Sequence, residues 1–198
     1  MTKEQMIKRY RALDTPLISD ALEELGIPGC LLGINAVLPD TVICGEAFTV
    51  HYVPCGLDKP SVGTYFDEVK EKQVIVIDNA GRTDCAIWGD ITTCVSKKRG
   101  IEGTVIDGAC RDIKAIRDYG YPVFSKGKCM VSGKRYVQVS QTNVPISVAG
   151  MRVCPGDLIF GDETGVITIP AQKAEEVLKK AEQIKQTEEE IIEKLSRS

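Results

Sequence analysis

The chain has one histidine, one tryptophan, no excess of basic residues and no long apolar run in its 198 residues. Each shortage removes a class of function. With His51 alone and no Cys-x-x-Cys pair, a zinc site or a Ser-His-Asp triad has little support. His51 alternates within a strand-like run and reads as a packed side chain rather than a catalytic one. A formal net charge of -3 supplies no field for nucleic acid, and no Lys/Arg cluster is interleaved with aromatics. A small anionic substrate would therefore rely on locally placed cations such as Arg111. No stretch approaches the length of a membrane span, and Met1-Thr2-Lys3-Glu4-Gln5 lacks an apolar leader core. The eight cysteines have no short spacing and lie mostly inside apolar runs, so they read as small buried thiols in a reducing cytoplasm.

What is present describes an α/β chain of a size that suits one domain over residues 1–198, able to bury about 70% of its unfolded surface without staples. A helical segment covers 1–26. Its first helix opens on the capping box Thr2-Lys3-Glu4-Gln5, and its second on Thr15 as cap with Pro16 in the first turn and Gly26 as stop. A strand is expected over Val42–Val53, a helix over 63–72 with Tyr65, Phe66 and Val69, and then a βαβαβ core. That core comprises a strand at 73–78, a loop, a helix at 90–99, a strand at 103–107, a helix at 112–119 and the strand Pro122-Val123-Phe124. Short strands follow at Arg135–Val139, Pro145–Val148, Leu158–Phe160 and Val166–Ile169, split by turn residues, which predicts a mixed C-terminal sheet. The acidic residues of Pro155-Gly156-Asp157 and Gly161-Asp162-Glu163 read first as solvated turn caps. A long C-terminal helix runs from about 172 to 195. Glu188 falls on its apolar stripe, either because the helix end frays or because the carboxylate has a partner.

The stretch from Trp88 to Asp112 organises the rest. Asp90 and the pair Arg111-Asp112 both follow strands of one parallel βαβ unit and both open helices, so two carboxylates, one guanidinium and two helix N-termini face one crevice. Paired carboxylates without Cys or His suit a hard cation such as magnesium, with Asp112 as direct ligand and Asp90 acting through water. Arg111 offers a planar fork for a carboxylate or an enolate oxygen. Together they suit a 2-oxo acid whose keto oxygen gains charge as an adjacent C–C bond breaks. The competing reading is an Arg-Asp helix cap with a surface ion pair.

Asp90, twenty intervening residues and Arg111-Asp112 form a pattern that resembles the Asp-x20-Arg-Asp signature of the class II 4-hydroxy-4-methyl-2-oxoglutarate (HMG) aldolases of the RraA-like family. The similarity extends in order through Ile18-Ser19-Asp20-Ala21-Leu22, Gly45 to Val50, Ala86 to Asp90, Asp107 to Asp112, Pro122-Val123-Phe124, and Pro155 to Val166. The resemblance implies an RraA-like swivelling β/β/α fold, assembled as homotrimers or homohexamers with sites between subunits. It implies Mg2+ or Mn2+ on Asp112, the pyruvyl group and its enolate on Arg111, and a metal-bound water positioned by Asp90. The backbone amides of Gly89, Asp90, Ile91 and Thr92 would hold the substrate carboxylate. Glu188, with Glu189 as the alternative, would come from a neighbouring subunit's C-terminal helix. The implied activity is metal-dependent cleavage of HMG, or a related 4-hydroxy-2-oxo acid, to pyruvate, with oxaloacetate decarboxylation beside it. The alternative is a non-catalytic regulator of ribonuclease E. Members resembling that regulator typically have Gly at the position of Asp90 and often an acid at that of Ala115. The chain departs from the family at Glu71-Lys72-Gln73-Val74, which replaces a Pro-Gly-Asp turn. The loops at 55–64 and 125–134 are expected to shape the rest of the substrate pocket.

Overall fold

A computed structural model describes residues 1–56 and 65–197. The chain begins with α1 (Lys3–Tyr10) and α2 (Thr15–Glu24). The capping box at Thr2 and Gln5 forms as the sequence predicts. The cap of α2 is Asp14, not Thr15: the Asp14 carboxylate accepts the Leu17 N–H, while Thr15 gives both its N–H and its hydroxyl to Asp162. A free carboxylate outcompetes a hydroxyl for the amide, and the hydroxyl finds a long-range acceptor instead.

Strands β1 (Asn35–Ala36), β2 (Ile43–Pro54) and β3 (Val74–Trp88) precede α3 (Asp90–Lys98). They are followed by β4 (Gly103–Cys110), α4 (Ile113–Tyr119) and β5 (Val123–Lys128). The chain continues through β6 (Val137–Thr142), β7 (Ile146–Val148), β8 (Met151–Val153), β9 (Leu158–Gly161) and β10 (Val166–Ile169), and ends with α5 (Ala174–Ser196). The main sheet runs β1-β5-β4-β3-β2-β9-β10, with β6 also on β2 and with β7–β8 as a separate hairpin. β3, β4 and β5 are parallel, which is the expected βαβαβ core, β2 joins them as a fourth parallel strand, and the C-terminal strands pair antiparallel. Segment 29–36 bonds to β10 at one end and, as β1, to β5 at the other, so it nearly closes the sheet into a barrel.

Strand alternation then decides what faces where. Val74, Val76, Val105, Phe124 and Ala47 point into the barrel. Ile75, Ile77, Ile106, Val123 and Phe48 point outward beneath α3 and α4. A third cluster seats α1, α2 and α5 on β9 and β10, with the buried Tyr10 hydroxyl donating to the Ala174 carbonyl. None of the described helices is long and apolar enough to cross a membrane.

Several expectations are corrected. Of the helix at 63–72, residues 63 and 64 lie outside the described residues, and 65–72 form turns. Lys72 adopts φ 63°, and the Gln73 side chain takes the Lys70 N–H, so no helical ladder propagates even though Tyr65, Phe66 and Val69 are buried. The stretch 79–88, expected as loop, belongs to β3. Strand β6 starts at Val137, after a 3-10 turn at Gly133–Arg135. Asp157 is a buried staple, not a solvated cap: its two oxygens accept the Cys154 and Ala171 N–H groups. α5 does not fray near residue 190, and its exposed distal half continues to Ser196. Only Cys44, Cys85 and Cys110 are fully buried; all eight thiols are free.

Two outcomes follow from this packing. Asp157→Ala strands two amides, one in the β8–β9 connection and one before α5, and should lower unfolding free energy by about 1–3 kcal/mol in urea titration. Burial pushes the Cys44 thiol up to about 12, and it raises Cys85 and Cys110 as well. A raised thiol pKa means less thiolate at pH 8, so a disulfide reagent should label at most the five half-buried cysteines until denaturant is added.

Candidate functional site

The site is built where β3 and β4 end together. Trp88 pairs with Cys110 in the parallel ladder, and the Arg111 N–H donates to the Trp88 carbonyl at 2.9 Å. The two strand ends are thus bonded side by side, which sets Gly89-Asp90 against Arg111-Asp112. The buried indole of Trp88 donates to Thr93 Oγ1 at 3.0 Å, and that hydroxyl donates to the Gly89 carbonyl at 2.7 Å, locking the first turn of α3 onto the strand end.

The side chains converge on one oxygen. Asp112 Oδ2 accepts the Asp90 N–H at 3.1 Å and lies 3.3 Å from Arg111 Nε. A Cβ at residue 89 would fall 2.4 Å from that same oxygen, so Gly89 is required by close approach. Asp112 occupies the N-cap position of α4 with φ 57° and ψ 43°, yet its side chain makes no capping bond. A left-handed aspartate that leaves its own helix uncapped is strain without local return. The simple Arg-Asp cap is therefore not what forms.

Gly89, Asp90, Ile91, Thr92 and Arg111 line one cleft of about 170 Å³, and Asp112 abuts it behind Gly89. That volume is below the range for drug-sized ligands and suits a small acid. Three of the four amides expected to hold a substrate carboxylate already have protein acceptors: Gly89 on Thr92 Oγ1, Asp90 on Asp112 and Ile91 on Asp90 Oδ1. Ser132 and Lys134 also line the cleft. No motif singled them out, although they fall inside the segment 125–134 expected as a pocket loop, of which 125–128 belong to β5; of the other expected loop, 55–64, residues 57–64 lie outside the described residues. Glu188 is not brought to this cleft within the chain: it sits on the exposed half of α5, a helix that packs on α1 and α2. Larger cavities lie elsewhere, at the barrel mouth and beside α2; chemistry rather than volume selects the cleft.

The donors fit a hard divalent cation. Asp112 Oδ1 and Asp90 Oδ2 accept no hydrogen bond among the described residues, and both are carboxylate oxygens beside a water-accessible cleft. No group of three or more His, Cys, Asp or Glu forms a cage among the described residues.

A nearly closed mixed sheet, outer helices and a small polar cleft at parallel strand ends define an α/β barrel-like protein. The chain belongs to the RraA-like family, described as Aldolase/RraA, which matches residues 15–168. It is 42% identical to Protein DlpA of Legionella pneumophila over 96% of its own length, but spans only 31% of that protein. It is 38% identical to a Halalkalibacterium halodurans protein named "Putative 4-hydroxy-4-methyl-2-oxoglutarate aldolase", covering 95% of this chain and 87% of the relative. Among solved structures, an uncharacterized protein from Pseudomonas syringae superposes with TM-score 0.91 at 42% identity, covering 98% of this chain and 94% of that one. Streptomyces coelicolor RraAS2, described as an unusual member of the RNase ES inhibitor RraA protein family, superposes with TM-score 0.86 at 26% identity over 95% and 96% of the two chains.

Replacing Gly89 by Ala places a methyl group against the Asp112 carboxylate and the Arg111 side chain. Denaturant unfolding should show a loss of about 1–3 kcal/mol, with the Asp90–Asp112 hydrogen bond broken in the variant's crystal structure.

Proposed function

We propose that the protein is a divalent-metal-dependent lyase that cleaves HMG, or a related 4-hydroxy-2-oxo acid, to pyruvate and also decarboxylates oxaloacetate. The observation that carries this reading is Asp112: a strained carboxylate withheld from capping, with one free oxygen, next to a guanidinium and a second carboxylate. The aldolase name of the Halalkalibacterium relative supports it. When bound by Asp112, with Asp90 behind an intervening water, Mg2+ or Mn2+ would supply Lewis-acid polarisation of the 2-oxo acid.

The chain's own groups do the rest. Arg111 pairs with the carboxylate and the keto oxygen of the substrate, and its charge stabilises that oxygen as the C3–C4 electron pair moves into the enolate. The C4 hydroxyl loses its proton as that bond breaks, and Asp90 orients the water that takes it. Protonation at C3 of the enolate then yields pyruvate. With oxaloacetate the same electron pair is released by loss of carbon dioxide. Lys134, at the cleft rim, adds a second cation for a substrate with more than one carboxylate.

The assembly is a homotrimer or homohexamer in which Glu188, or Glu189, of a neighbouring copy completes the site. The exposed Ile191, Ile192 and Leu195 on α5 support a helix that packs on another copy. The second reading, a regulator of ribonuclease E, draws on the fold shared with RraAS2. Asp90, where members resembling that regulator typically have Gly, favours the enzyme.

In a lactate-dehydrogenase-coupled assay corrected for the protein-free rate, magnesium and oxaloacetate should give pyruvate. Asp112→Ala should abolish the enzymatic rate without unfolding the protein, and Arg111→Lys should lower kcat roughly 10²–10³-fold. No turnover of oxaloacetate or HMG with either metal would leave the regulator reading standing.

A further inference from the structure

A second polar site lies on a different face of the same sheet. Inward-facing positions of β2, β3, β4 and β5 are apolar or, at Thr49, hydrogen-bonded inside the protein until the strands reach the barrel mouth, where the same rows continue as His51, Asp78, Asp107 and Lys126. Gln141, His51, Asp78 and Asp107 are lateral neighbours in register across β6, β2, β3 and β4. Laterally paired residues share a face, so the topology delivers a row of polar groups to one rim. Two adjoining cavities of about 480 and 450 Å³ open there and share Asp78, Ser147 and Gly150. Barrel mouths are a common place for small-molecule sites.

The charges at this rim are sorted. Asp78 Oδ1 accepts the Ala80 N–H at 2.9 Å, and Oδ2 pairs with His51 Nδ1 at 2.9 Å. Asp107 Oδ2 accepts the Ala149 N–H at 2.8 Å, and Oδ1 pairs with Lys126 Nζ at 2.6 Å. Both carboxylates are therefore spent inside the protein. Ala80 and Ala149 have φ of 52° and 50°, a conformation that non-glycine residues rarely adopt, and each is held there by one of these aspartates. Such strain is retained where the surroundings over-determine it, and such residues cluster at ligand sites.

What remains turned to the cavities is a set of donors. Arg152, in the first cavity, uses only Nε, on Cys154 Sγ, so its two terminal nitrogens have no acceptor among the described residues. Lys126 stands in the second cavity. Ser147 belongs to both linings. A site with an unpaired guanidinium edge in one cavity and, in the other, an ammonium that Asp107 holds by one contact and leaves with further N–H donors matches a short organic anion with two charged ends.

We propose that the barrel mouth formed by His51, Asp78, Asp107, Lys126, Ser147 and Arg152 is a second binding site, separate from the Asp90–Arg111–Asp112 cleft, and that it takes a small dicarboxylate. His51 is the only histidine, so protein labelled with 13C at histidine gives one imidazole signal that reports this site alone. Titration with succinate should shift that signal saturably, whereas acetate and sodium chloride at matched ionic strength should need at least tenfold higher concentration. Arg152→Gln, at an exposed position, should weaken the succinate effect at least tenfold, and Asp112→Ala should leave it unchanged. No saturable shift, equal response to acetate, tighter response to inorganic phosphate, or loss of the effect in Asp112→Ala would each overturn the proposal. Thermal melting of Arg152→Gln within a few degrees of the parent shows that its loss of binding is local; if the variant melts far lower, the wild-type succinate-against-acetate comparison alone decides.

Discussion

One backbone hydrogen bond, from the Arg111 N–H to the Trp88 carbonyl, holds the cleft together. It is the last bond of the β3–β4 parallel ladder, and it fixes the distance between two chain segments that are far apart in sequence. Between the Asp78–Asp107 pair and the Trp88–Cys110 pair, nine residues of β3 face two of β4. β3 must therefore leave the ladder and return to it. The return is secured from the helix side by the Trp88 indole on Thr93, in a site dry enough that an unmade bond there would be costly.

That excursion explains why one sheet edge carries two kinds of polar chemistry. Where β3 departs, at Asp78, the polar groups continue the rows that face into the barrel. Where it returns, at Trp88, the next residues lie under the helices and beside α3. The period-two geometry of a strand separates the two sets by face, and the extra residues in β3 separate them along it. The same carboxylate chemistry is used differently in the two places. Asp78 and Asp107 each hold a left-handed alanine by one oxygen and face a second side chain, His51 or Lys126, with the other. Asp112 is itself the left-handed residue, and only one of its oxygens has protein partners among the described residues.

The elements of the βαβαβ core were legible because each carries a strong local signal. Val74-Ile75-Val76-Ile77 is buried on both faces, as a central parallel strand should be, and Gly100 and Gly120 end their helices with positive φ. Elements decided by few local residues were not legible. The two-residue β1 and the three-residue β8 have no periodicity to read, and both exist because a partner strand satisfies their amides. The segment after residue 64 has a helical apolar pattern but is held in turns by the left-handed Lys72. Asp14, Asp157 and Asp162 look like ordinary turn acids in sequence, yet each takes backbone donors, two of them from distant segments.

By itself the sequence determined the elements, the order in which they alternate, and the residue types that could do chemistry: Asp90, Arg111 and Asp112 stand at strand-to-helix junctions by local pattern alone. Only the tertiary structure decided that Asp112 turns away from its own helix toward Asp90, that Gly89 leaves room for it, that Ser132 and Lys134 reach the cleft, and that His51 meets Asp78 at the barrel mouth. The reason is physical. Local pattern is set by interactions within a few residues along the chain, whereas these contacts depend on strand register and on the extra residues of β3, which are fixed only when the whole sheet closes.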